Sequence, residues 1–295
     1  MKSGFVSFVG RPNVGKSTLI NRLVGIKLSI TSDKAHTTRN VIQGIYNDDE
    51  SQIVFVDTPG IHKPLNKLGQ ILNKGAYYSI DDVDIVCFII DAKKKIGRGD
   101  RFILEKLNNI KKPVILIINK IDGLSNEDIF LKINEYKDEY NFKEIVPISA
   151  LKGNNTSELI KVIKNYLPDS SKYFEEEMYT NKSLKFMVSE IVREKILNLT
   201  KEEVPHSTTC ITEKMVKDKD KYIINVDIIV DRDSIKRIII GKNGNMIKKI
   251  GILAREDIEK LLDSKVYLDL YVKTVKKWED KESYLKDLEF TDFME

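Results

Sequence analysis

The stretch that decides the fold reads Gly10-Arg11-Pro12-Asn13-Val14-Gly15-Lys16-Ser17, and Thr18 follows it. It fits G-x-x-x-x-G-K-S, lies directly after the apolar run Phe5–Val9 and opens the amphipathic stretch Lys16–Val24. A strand, a glycine-rich turn and a helix N-terminus in this order form a phosphate-binding loop. We expect residues 10–18 to bind a nucleotide, Lys16 to reach the β and γ oxygens, and the Ser17 hydroxyl to ligate Mg²⁺. A chance glycine-rich turn is the competing interpretation, and the flanking strand and helix argue against it.

Around this loop, as far as Pro168, short apolar runs alternate with amphipathic stretches. The alternation predicts an α/β fold, with helices on both faces of a mostly parallel sheet. The turn Asn47–Glu50 predicts one antiparallel hairpin within it. The predicted strands are Phe5–Val9, Val41–Tyr46, Ile53–Val56, Asp84–Ile90, Val114–Ile118 and Ile145–Ile148, and the predicted helices are Lys16–Val24, Asp100–Asn108, Ile129–Tyr140 and Thr156–Tyr166.

The polar residues 169–183, which follow Pro168, predict a linker between two domains, 1–168 and 184–295. The second domain has a smaller α+β pattern. Its predicted elements are the helix Leu184–Leu199, the β-rich stretches Thr208–Val216 and Tyr222–Val230, the apolar run Ile238–Ile240, a loop at Gly241–Gly244, the helix Asn245–Leu262, the strand Lys265–Val272 and an acidic amphipathic helix over Glu279–Glu295.

Composition excludes several classes of protein. The chain has 295 residues, 41% of them hydrophobic, and a formal net charge of +4, which suits a folded two-domain protein and predicts no general affinity for nucleic acid. The two cysteines, Cys87 and Cys210, form neither a metal-ligand spacing nor a disulfide framework, which favours a reducing cytoplasm. We expect no export signal, because the phosphate motif begins within ten residues of the start. The longest apolar run, Ile85–Ile90, is too short to span a bilayer, although peripheral membrane contact stays open.

A second motif predicts which base is bound. Asn119-Lys120-Ile121-Asp122 follows the strand Val114–Ile118, at the sheet edge where parallel α/β folds bind ligands. The Asp122 carboxylate can accept hydrogen bonds from N1–H and the 2-amino group of guanine, which adenine cannot offer. Asn119 and the stem of Lys120 would brace the loop and cover the base. Ser149-Ala150-Leu151 follows the last strand of the domain.

Two further segments predict sensing of the γ-phosphate. Asp57-Thr58-Pro59-Gly60 ends the strand Ile53–Val56, and we expect Asp57 to hold a water on magnesium and the Gly60 N–H to contact the γ-phosphate. Thr37-Thr38-Arg39 supplies a threonine that would complete the magnesium shell when GTP is bound. We favour Thr38 over Thr37. The predicted residues of the metal site are Ser17, Thr38 and Asp57, with Asp57 acting through a bound water.

With these motifs the chain resembles, over its whole length, the Era family of bacterial GTPases, which belongs to the TrmE-Era-EngA group. The resemblance implies binding of GTP and GDP, GTP hydrolysis, and a role in 30S subunit maturation through contact with 16S rRNA at its single-stranded 3′ region. It implies that Ser149-Ala150-Leu151 contacts guanine O6 through a backbone N–H. It also implies a cytoplasmic protein with peripheral contact at the inner face of the cell membrane. Ala35-His36 departs from the family, where a glutamine is expected beside the threonines.

The expected catalytic residues are Lys16, Thr38, Gly60 and Asn13. Ile61 stands where Ras-type GTPases carry a water-orienting glutamine, and no arginine finger is identifiable, so slow intrinsic turnover is predicted. In relatives, an asparagine at the position of Asn13 is associated with bound K⁺, which implies potassium stimulation here. His62 as a general base is disfavoured, because phosphoryl transfer depends chiefly on positioning and electrostatics.

The second domain contains Ile239-Ile240-Gly241-Lys242-Asn243-Gly244-Asn245-Met246-Ile247, which fits the I-I-G-x-x-G-x-x-I pattern of a KH module. The order helix, strand, strand, GxxG, helix, strand indicates a type II KH fold, which would bind about four unpaired nucleotides. Residues 232–255 carry seven basic residues against one acid, a local charge of +6. A solvated face is the alternative, and the adjacent GxxG loop favours phosphate contact. The expected RNA-binding residues are Ile240, Gly241, Lys242, Asn243, Gly244, Ile247 and Lys248.

Two functions fit these residues. The first is a GTPase whose nucleotide state controls how its KH module meets ribosomal RNA. The second is an RNA chaperone in which GTP is mainly a structural ligand and hydrolysis is incidental. A tandem GTPase or a tRNA-modifying GTPase is disfavoured by the single phosphate loop and the KH-type module. We expect a monomer that does not bind DNA.

Overall fold

The computed structural model describes residues 1–32, 38–59, 66–205 and 207–288. The chain divides into two compact units, the first comprising Met1–Leu65 with Gly69–Asn181 and the second Asn66–Leu68 with Lys182–Glu295. Each unit has its own hydrophobic core. Among the described residues, no helix is both long enough and apolar enough to cross a membrane.

The first unit is built on a six-stranded sheet in the order β2-β3-β1-β4-β5-β6. Among the described strands of this sheet, only the β2–β3 pair is antiparallel, which confirms the predicted mostly parallel α/β fold with one hairpin. The elements in chain order are β1 (Lys2–Val9), α1 (Lys16–Val24), β2 (Ile42–Asn47), β3 (Ser51–Asp57), α2 (Lys67–Asp81), β4 (Ile85–Asp91), α3 (Arg98–Leu107), β5 (Val114–Asn119), α4 (Asn126–Tyr136), β6 (Glu144–Pro147) and α5 (Thr156–Tyr166). Lys67 and Leu68, the first two residues of α2, are counted with the second unit.

Helices cover both faces of this sheet. Residues of α1 and α5 share one core cluster with one face of the strands, and residues of α3 and α4 share another with the opposite face. Every residue of β4 is buried, which explains why its sequence is a continuous apolar run instead of an alternating one. The parallel strands end together, so the residues that follow them meet at one edge of the sheet.

Helix α2, Lys67–Asp81, is absent from the helices predicted from sequence. Its sequence, KLGQILNKGAYYSID, contains two glycines and two adjacent tyrosines, and both residue types lower intrinsic helix propensity. The apolar residues Leu68, Ile71 and Leu72 are buried at helical spacing. Packing of this face therefore outweighs weak local propensity.

The polar segment after Pro168 lies along the edge strand of the first sheet. Thr180 bridges Gly44 of β2 in antiparallel fashion, and Ile45 N donates to Tyr179 O at 2.9 Å. The buried Gln52 side chain accepts hydrogen bonds from the backbone N–H groups of residues 173 and 174 at 2.7 and 2.9 Å. This segment therefore covers the exposed edge of β2, a common way to prevent edge-to-edge pairing.

The second unit is a three-stranded sheet, β7-β8-β9, with β7 and β8 antiparallel and β8 and β9 parallel. Helices α6, α7 and α8 contribute buried residues to the same core cluster as the sheet. This α+β arrangement confirms the predicted second fold class. Its elements are α6 (Leu184–Leu199), β7 (Thr208–Asp218), β8 (Lys221–Val230), α7 (Asp233–Ile240), α8 (Asn245–Leu262), β9 (Lys265–Thr274) and α9 (Glu282–Asp287).

Two features of the second unit differ from the sequence-based prediction. Ile238–Ile240 ends helix α7, a helix missing from the predicted order, because Ile235 and Ile239 lie one turn apart and are both fully buried. The predicted helix over Glu279–Glu295 begins with a 3₁₀ turn at Trp278–Asp280 and continues as the six-residue α9. Residues 289–295 lie outside the described part of the chain.

Candidate functional site

The glycines of the phosphate loop allow two close approaches that no other residue permits. The loop joins the end of β1 to the start of α1, as the sequence predicts. A Cβ on Gly10 would lie 2.3 Å from the Ile89 carbonyl oxygen, and one on Gly15 would lie 2.3 Å from Nδ2 of Asn119. Gly15 also has φ +102°, a conformation that disfavours side chains. The loop is therefore packed directly onto the ends of β4 and β5.

Lys16 turns its ammonium group back into this loop. Its Nζ donates to the carbonyl oxygens of Gly10 and Arg11 at 3.2 and 3.3 Å. Burial lowers the pKa of Lys16, and the negative charge of Asp57 opposes that effect. A cation is thus held at the centre of a loop whose backbone N–H groups begin a helix, which is the arrangement that binds phosphate.

Three oxygen-bearing side chains converge beside Lys16. Ser17 Oγ lies 2.8 Å from Oδ2 of Asp57 and 3.0 Å from Oγ1 of Thr38, and Thr38 Oγ1 lies 3.4 Å from the same carboxylate oxygen. Asp57 is fully buried; burial raises its pKa, while Lys16 and nearby hydroxyl groups act in the opposite direction. Two hydroxyls and one carboxylate are hard oxygen donors, the kind that Mg²⁺ prefers, so the residues present fit this ion.

The described residues offer no alternative metal centre made of three or more His, Cys, Asp or Glu side chains. Of the residues predicted to respond to the γ-phosphate, Thr38 lies in the cluster with Ser17 and Asp57. Thr58 donates its hydroxyl to the Phe8 carbonyl at 3.2 Å, and Pro59 is buried. The predicted residues Gly60, Ile61 and His62, with Ala35, His36 and Thr37, lie outside the described residues.

Asn119 connects the predicted base-binding motif to the phosphate loop. Its Nδ2 donates to the Val14 carbonyl oxygen at 2.8 Å, and its Oδ1 accepts from the Ala150 backbone N–H at 2.9 Å. Arg22 of α1 also contacts the loop that contains Ala150. It donates to the carbonyl oxygens of Ala150 and Leu151 at 3.3 and 2.6 Å. Three segments distant in sequence are therefore fixed around one point.

Both carboxylate oxygens of Asp122 have a partner. Ser149 Oγ donates to Oδ1 at 2.8 Å, and the ammonium of Lys93 lies 3.3 Å from Oδ2. The Ser149 hydrogen bond lowers the pKa of Asp122, burial opposes it, and Lys93 adds to the lowering. The group is thus an ionised acceptor at neutral pH, as recognition of guanine N1–H and the 2-amino group requires. Leu151, the third residue of the Ser149–Leu151 segment, is 64% exposed.

Lys120 lies across the gap between the base motif and the phosphate loop. Its Nζ donates to the Asn13 carbonyl oxygen at 2.7 Å and to Oδ2 of Asp91 at 2.9 Å. Lys120 and Asn13 both have left-handed backbones, with φ +68° and +64°. Non-glycine residues in this region are uncommon and cluster at functional sites.

The guanidinium of Arg11 faces away from the phosphate loop. Its Nε lies 2.8 Å from Oδ1 of Asp100, which is fully buried in the first turn of α3, and Asp100 Oδ2 accepts from the Gly97 N–H at 2.8 Å. Any contact of Arg11 with phosphate would therefore come from its backbone. The Arg11–Asp100 pair anchors the loop to α3, a long-range relation with no local signal in the sequence.

The pocket over the phosphate loop includes predicted and unpredicted residues. Pro12, Asn13, Gly15, Lys16, Ser17 and Thr18 line it together with Thr38 and Thr58. Ile30, Thr31 and Ser32, which follow α1, also line it. No sequence motif predicts these three residues. They line the pocket because of the path that the backbone takes there, and this does not require particular residue types. Sequence reasoning also missed Arg22, Lys93, Asp91 and Asp100, for a second reason: the partners that bring them to the site are distant in sequence.

In the second unit, the GxxG loop forms a tight turn between α7 and α8. Gly241 and Gly244 have φ +74° and +73°, and a Cβ on Gly241 would lie 2.7 Å from the Cβ of Met246. Lys242 and Asn243 project from this turn, and both are exposed. Lys248 is exposed in the first turns of α8, while Ile240 and Ile247 are half-buried. Backbone and cations are thus accessible together, as contact with an RNA backbone requires.

Comparisons with known proteins agree with both units. A family model described as 50S ribosome-binding GTPase matches residues 5–120, and a KH domain model matches residues 203–279. The GTPase Era of Clostridioides difficile (strain 630) is 51% identical over 294 residues, which cover 99% of each chain.

Two solved structures are similar over nearly the whole chain. One is an Era variant from Aquifex aeolicus bound to GDP and AlF4⁻, with a TM-score of 0.94 and 42% identity over 98% of this chain and 99% of that one. The other is an Era in complex with MgGDPNP and nucleotides 1506–1542 of 16S ribosomal RNA, with a TM-score of 0.94 and 41% identity over the same shares. With this identity over its full length, the chain belongs to the Era family of GTPases, with a GTPase domain followed by a KH domain.

Proposed function

We propose that this GTPase binds GTP and GDP at the first unit, hydrolyses GTP slowly, and binds the single-stranded 3′ region of 16S rRNA through its KH domain during 30S subunit maturation. The observation that carries the nucleotide part is the double hydrogen bonding of Asn119 to Val14 and Ala150. It joins a phosphate-binding loop to a guanine-binding loop, which a protein that bound only phosphate would not need.

Each motif has a role in this proposal. Residues 10–18 bind the phosphates, and the ammonium of Lys16 exchanges its carbonyl partners for β and γ oxygens. Asp122 accepts hydrogen bonds from the guanine edge, Lys120 covers the base, and the loop of residues 149–151 presents a backbone N–H to guanine O6. Gly60 contacts the γ-phosphate. The ammonium of Lys93 moves away from Oδ2 of Asp122 when guanine binds.

Magnesium fits this site through Ser17, Thr38 and Asp57. When bound, the ion supplies positive charge that offsets the charge on the β and γ oxygens. The chain's own contribution is to hold two hydroxyls and one carboxylate within 3.4 Å of each other. Thr38 and Asp57 come from different segments, so this cluster also links the residues that precede β2 to the end of β3.

Turnover is proposed to be slow and stimulated by K⁺. Ile61 cannot orient water as a glutamine does, so developing charge must be offset in another way. We propose that a monovalent cation bound beside Asn13 offsets this charge. Asn13 has a left-handed backbone and lines the same pocket as Lys16. The test is single-turnover GTP hydrolysis in KCl and NaCl at equal ionic strength, with Asn13→Ala as the matched variant. Equal rates for the wild type in both salts would contradict the potassium part.

The RNA part rests on the exposed GxxG loop with its surrounding cations, and on the solved Era that holds nucleotides 1506–1542 of 16S rRNA. We propose contact through Ile240, Gly241, Lys242, Asn243, Gly244, Ile247 and Lys248. The GxxG backbone would lie against RNA phosphates, and half-buried apolar residues would contact unpaired bases. Binding of a labelled 3′ rRNA fragment, against the same fragment annealed to its complement, tests this. Equal affinity for both would contradict single-strand recognition.

The remaining parts of the proposal concern organisation and location. We propose a GTPase domain of residues 1–168, a connecting segment of 169–183 and a type II KH domain of 184–295. We also propose a monomeric cytoplasmic protein with peripheral contact at the inner face of the membrane and no DNA partner. Light scattering of the purified protein tests the monomeric state. Fractionation of cells tests the location.

The alternative function is an RNA chaperone that uses GTP mainly as a structural ligand. The isoleucine at position 61 is its support. Both functions share the same binding residues, so the discriminating measurement is GTP hydrolysis with and without pre-30S particles in potassium buffer. Particle-stimulated turnover favours the nucleotide switch, and turnover that particles leave unchanged favours the chaperone.

A further inference from the structure

Asp91 ends β4 at the edge of the sheet where the nucleotide motifs meet, and it belongs to none of them. It pairs in register with Asn119, the first residue of the base motif, and the Ala92 N–H donates to the Asn119 carbonyl oxygen at 2.8 Å. Its side chain is almost fully buried, at 4% exposure. A buried carboxylate needs hydrogen-bonding partners to offset the loss of water.

The two carboxylate oxygens of Asp91 have different partners. Oδ2 accepts from Lys120 Nζ at 2.9 Å, and Oδ1 accepts from the Lys93 backbone N–H at 3.0 Å. Lys120 Nζ also donates to the Asn13 carbonyl oxygen at 2.7 Å. A single ammonium group therefore connects the end of β4 to the phosphate loop, and both of its oxygen partners are fixed.

Lys120 needs such an anchor for two reasons. Its backbone has φ +68°, so the chain around it is held in a conformation that non-glycine residues rarely adopt. Its side chain is also long and 36% exposed, and without a partner it would sample many rotamers. The aliphatic part of a lysine side chain contributes most to base binding when it is already held in its extended conformation. Otherwise ordering the side chain on binding lowers the affinity.

We propose that Asp91 is a positioning residue for guanine-nucleotide binding, which acts by fixing the stem of Lys120 across the base site and its ammonium on the phosphate loop. This inference rests on the proposed function, since it concerns the same nucleotide. A residue that only closed the turn after β4 would need the Lys93 N–H bond and not the bond to Lys120.

The test is a double-mutant cycle in the full chain, with affinity measured by fluorescence of N-methylanthraniloyl-GDP. We expect Asp91→Ala to weaken binding about tenfold, and to weaken it less than about twofold when Lys120 is already alanine, as coupled contact residues behave. Asp91→Asn keeps an acceptor for the Lys93 N–H and loses the charge, so we expect an intermediate loss.

Asp84 provides a matched control at the other end of β4. It precedes the strand, and its Oδ2 accepts from the Phe5 N–H at 2.7 Å. We expect Asp84→Ala to leave nucleotide affinity unchanged even where it lowers the melting temperature. Thermal melts of all variants establish that each binding assay uses folded protein, and Asp91→Asn serves where Asp91→Ala does not fold.

Binding of IDP, which lacks the 2-amino group of GDP, separates the two partners of Asp91. If Asp91 acts through Lys120, both nucleotides weaken equally and their affinity ratio stays within twofold. A changed ratio would assign the effect to Lys93 and Asp122 and would overturn the proposal. Additive losses in the cycle, or unchanged GDP affinity in both Asp91 variants, would also overturn it. A wild-type chain that binds no guanine nucleotide would instead refute the proposed function itself.

Discussion

Asn119 and Val14 are 105 residues apart in sequence and are joined by a hydrogen bond of 2.8 Å from the side-chain Nδ2 to the backbone oxygen. The other end of the same amide accepts the Ala150 N–H. Because Asn119 is buried, each of these backbone groups would lose its partner in a dry environment if the side chain were removed. One side chain thus sets the spacing of three loops.

We therefore expect Asn119→Ala to impair nucleotide binding far more than a single lost contact would. Two unsatisfied buried groups cost about 1–3 kcal/mol each, so GDP affinity should fall at least about tenfold. Isothermal titration with GDP measures it. Asn126→Ala, at the exposed start of α4, is the control and should bind as the wild type does. Wild-type affinity in Asn119→Ala would refute the role of this amide.

Gly15 should be intolerant of even one methyl group. Alanine there meets both a backbone at φ +102° and an Asn119 amide 2.3 Å from its Cβ, so we expect Gly15→Ala to abolish nucleotide binding. Gly25 separates these effects, because it has φ +86° and open space around its Cβ. Gly25→Ala should cost about 1–2 kcal/mol of stability from backbone strain alone and leave GDP affinity unchanged. Equal binding by the two variants would contradict the packing argument.

The hydroxyl of Ser17 should matter for magnesium and little for stability. It lies within 3.0 Å of both Thr38 and Asp57 oxygens, so Ser17→Ala removes one of three hard donors. We expect the Mg²⁺ concentration for half-maximal GTP binding to rise about tenfold or more, the effect of losing a ligand from a site that dehydrates magnesium reluctantly. Ser7→Ala, a buried serine of β1, is the control for loss of a hydroxyl. An unchanged magnesium requirement would remove Ser17 from the metal site.

The phosphate loop and its flanking strand and helix could be predicted from sequence because each relation there is local. Gly10 and Gly15 lie within six residues of each other, and their pattern specifies the turn. The segment that follows Pro168 shows the opposite case. Its composition is typical of a linker, yet it is held by backbone hydrogen bonds to β2 and by Gln52, 121 residues from its partner Tyr173. Backbone pairing leaves no trace in side-chain composition.

The sequence-based prediction missed helix α7 for a different reason. Ile238, Ile239 and Ile240 are β-branched and in isolation favour a strand. They form the end of a helix because Ile235 and Ile239 fill one buried face, so tertiary packing overrides propensity. The ion pair of Arg11 with Asp100 could not be predicted from sequence either, since the motif predicts only that Arg11 lies near phosphate. Long-range partners of motif residues require the fold.

The turn between β2 and β3 should make part of the stability depend on pH. Burial alone would raise the pKa of Asp48, but hydrogen bonds from Lys164, the Glu50 N–H, Ser51 and Tyr46 lower it to about 2. The unfolded value is about 3.9, so the stabilising contribution is complete above that pH and is lost as pH falls towards 2. Asp48→Asn should lower the melting temperature by a few degrees at pH 6 and by less at pH 2.5. A difference independent of pH would refute the assignment.

The GxxG loop leads to a prediction about salt. Lys242 and Lys248 are exposed on and beside the loop, so each can neutralise one RNA phosphate. Replacing both with glutamate should weaken binding to the 3′ rRNA fragment and reduce the slope of log affinity against log salt by about 1.4, at about 0.7 per phosphate for single strands. GDP affinity should not change. Lys260 and Lys265, exposed at the far end of α8 and the start of β9, provide a charge-matched control whose reversal to glutamate should leave the slope nearly unaltered. An equal loss of slope in both double variants would show that RNA responds to net charge and not to the loop.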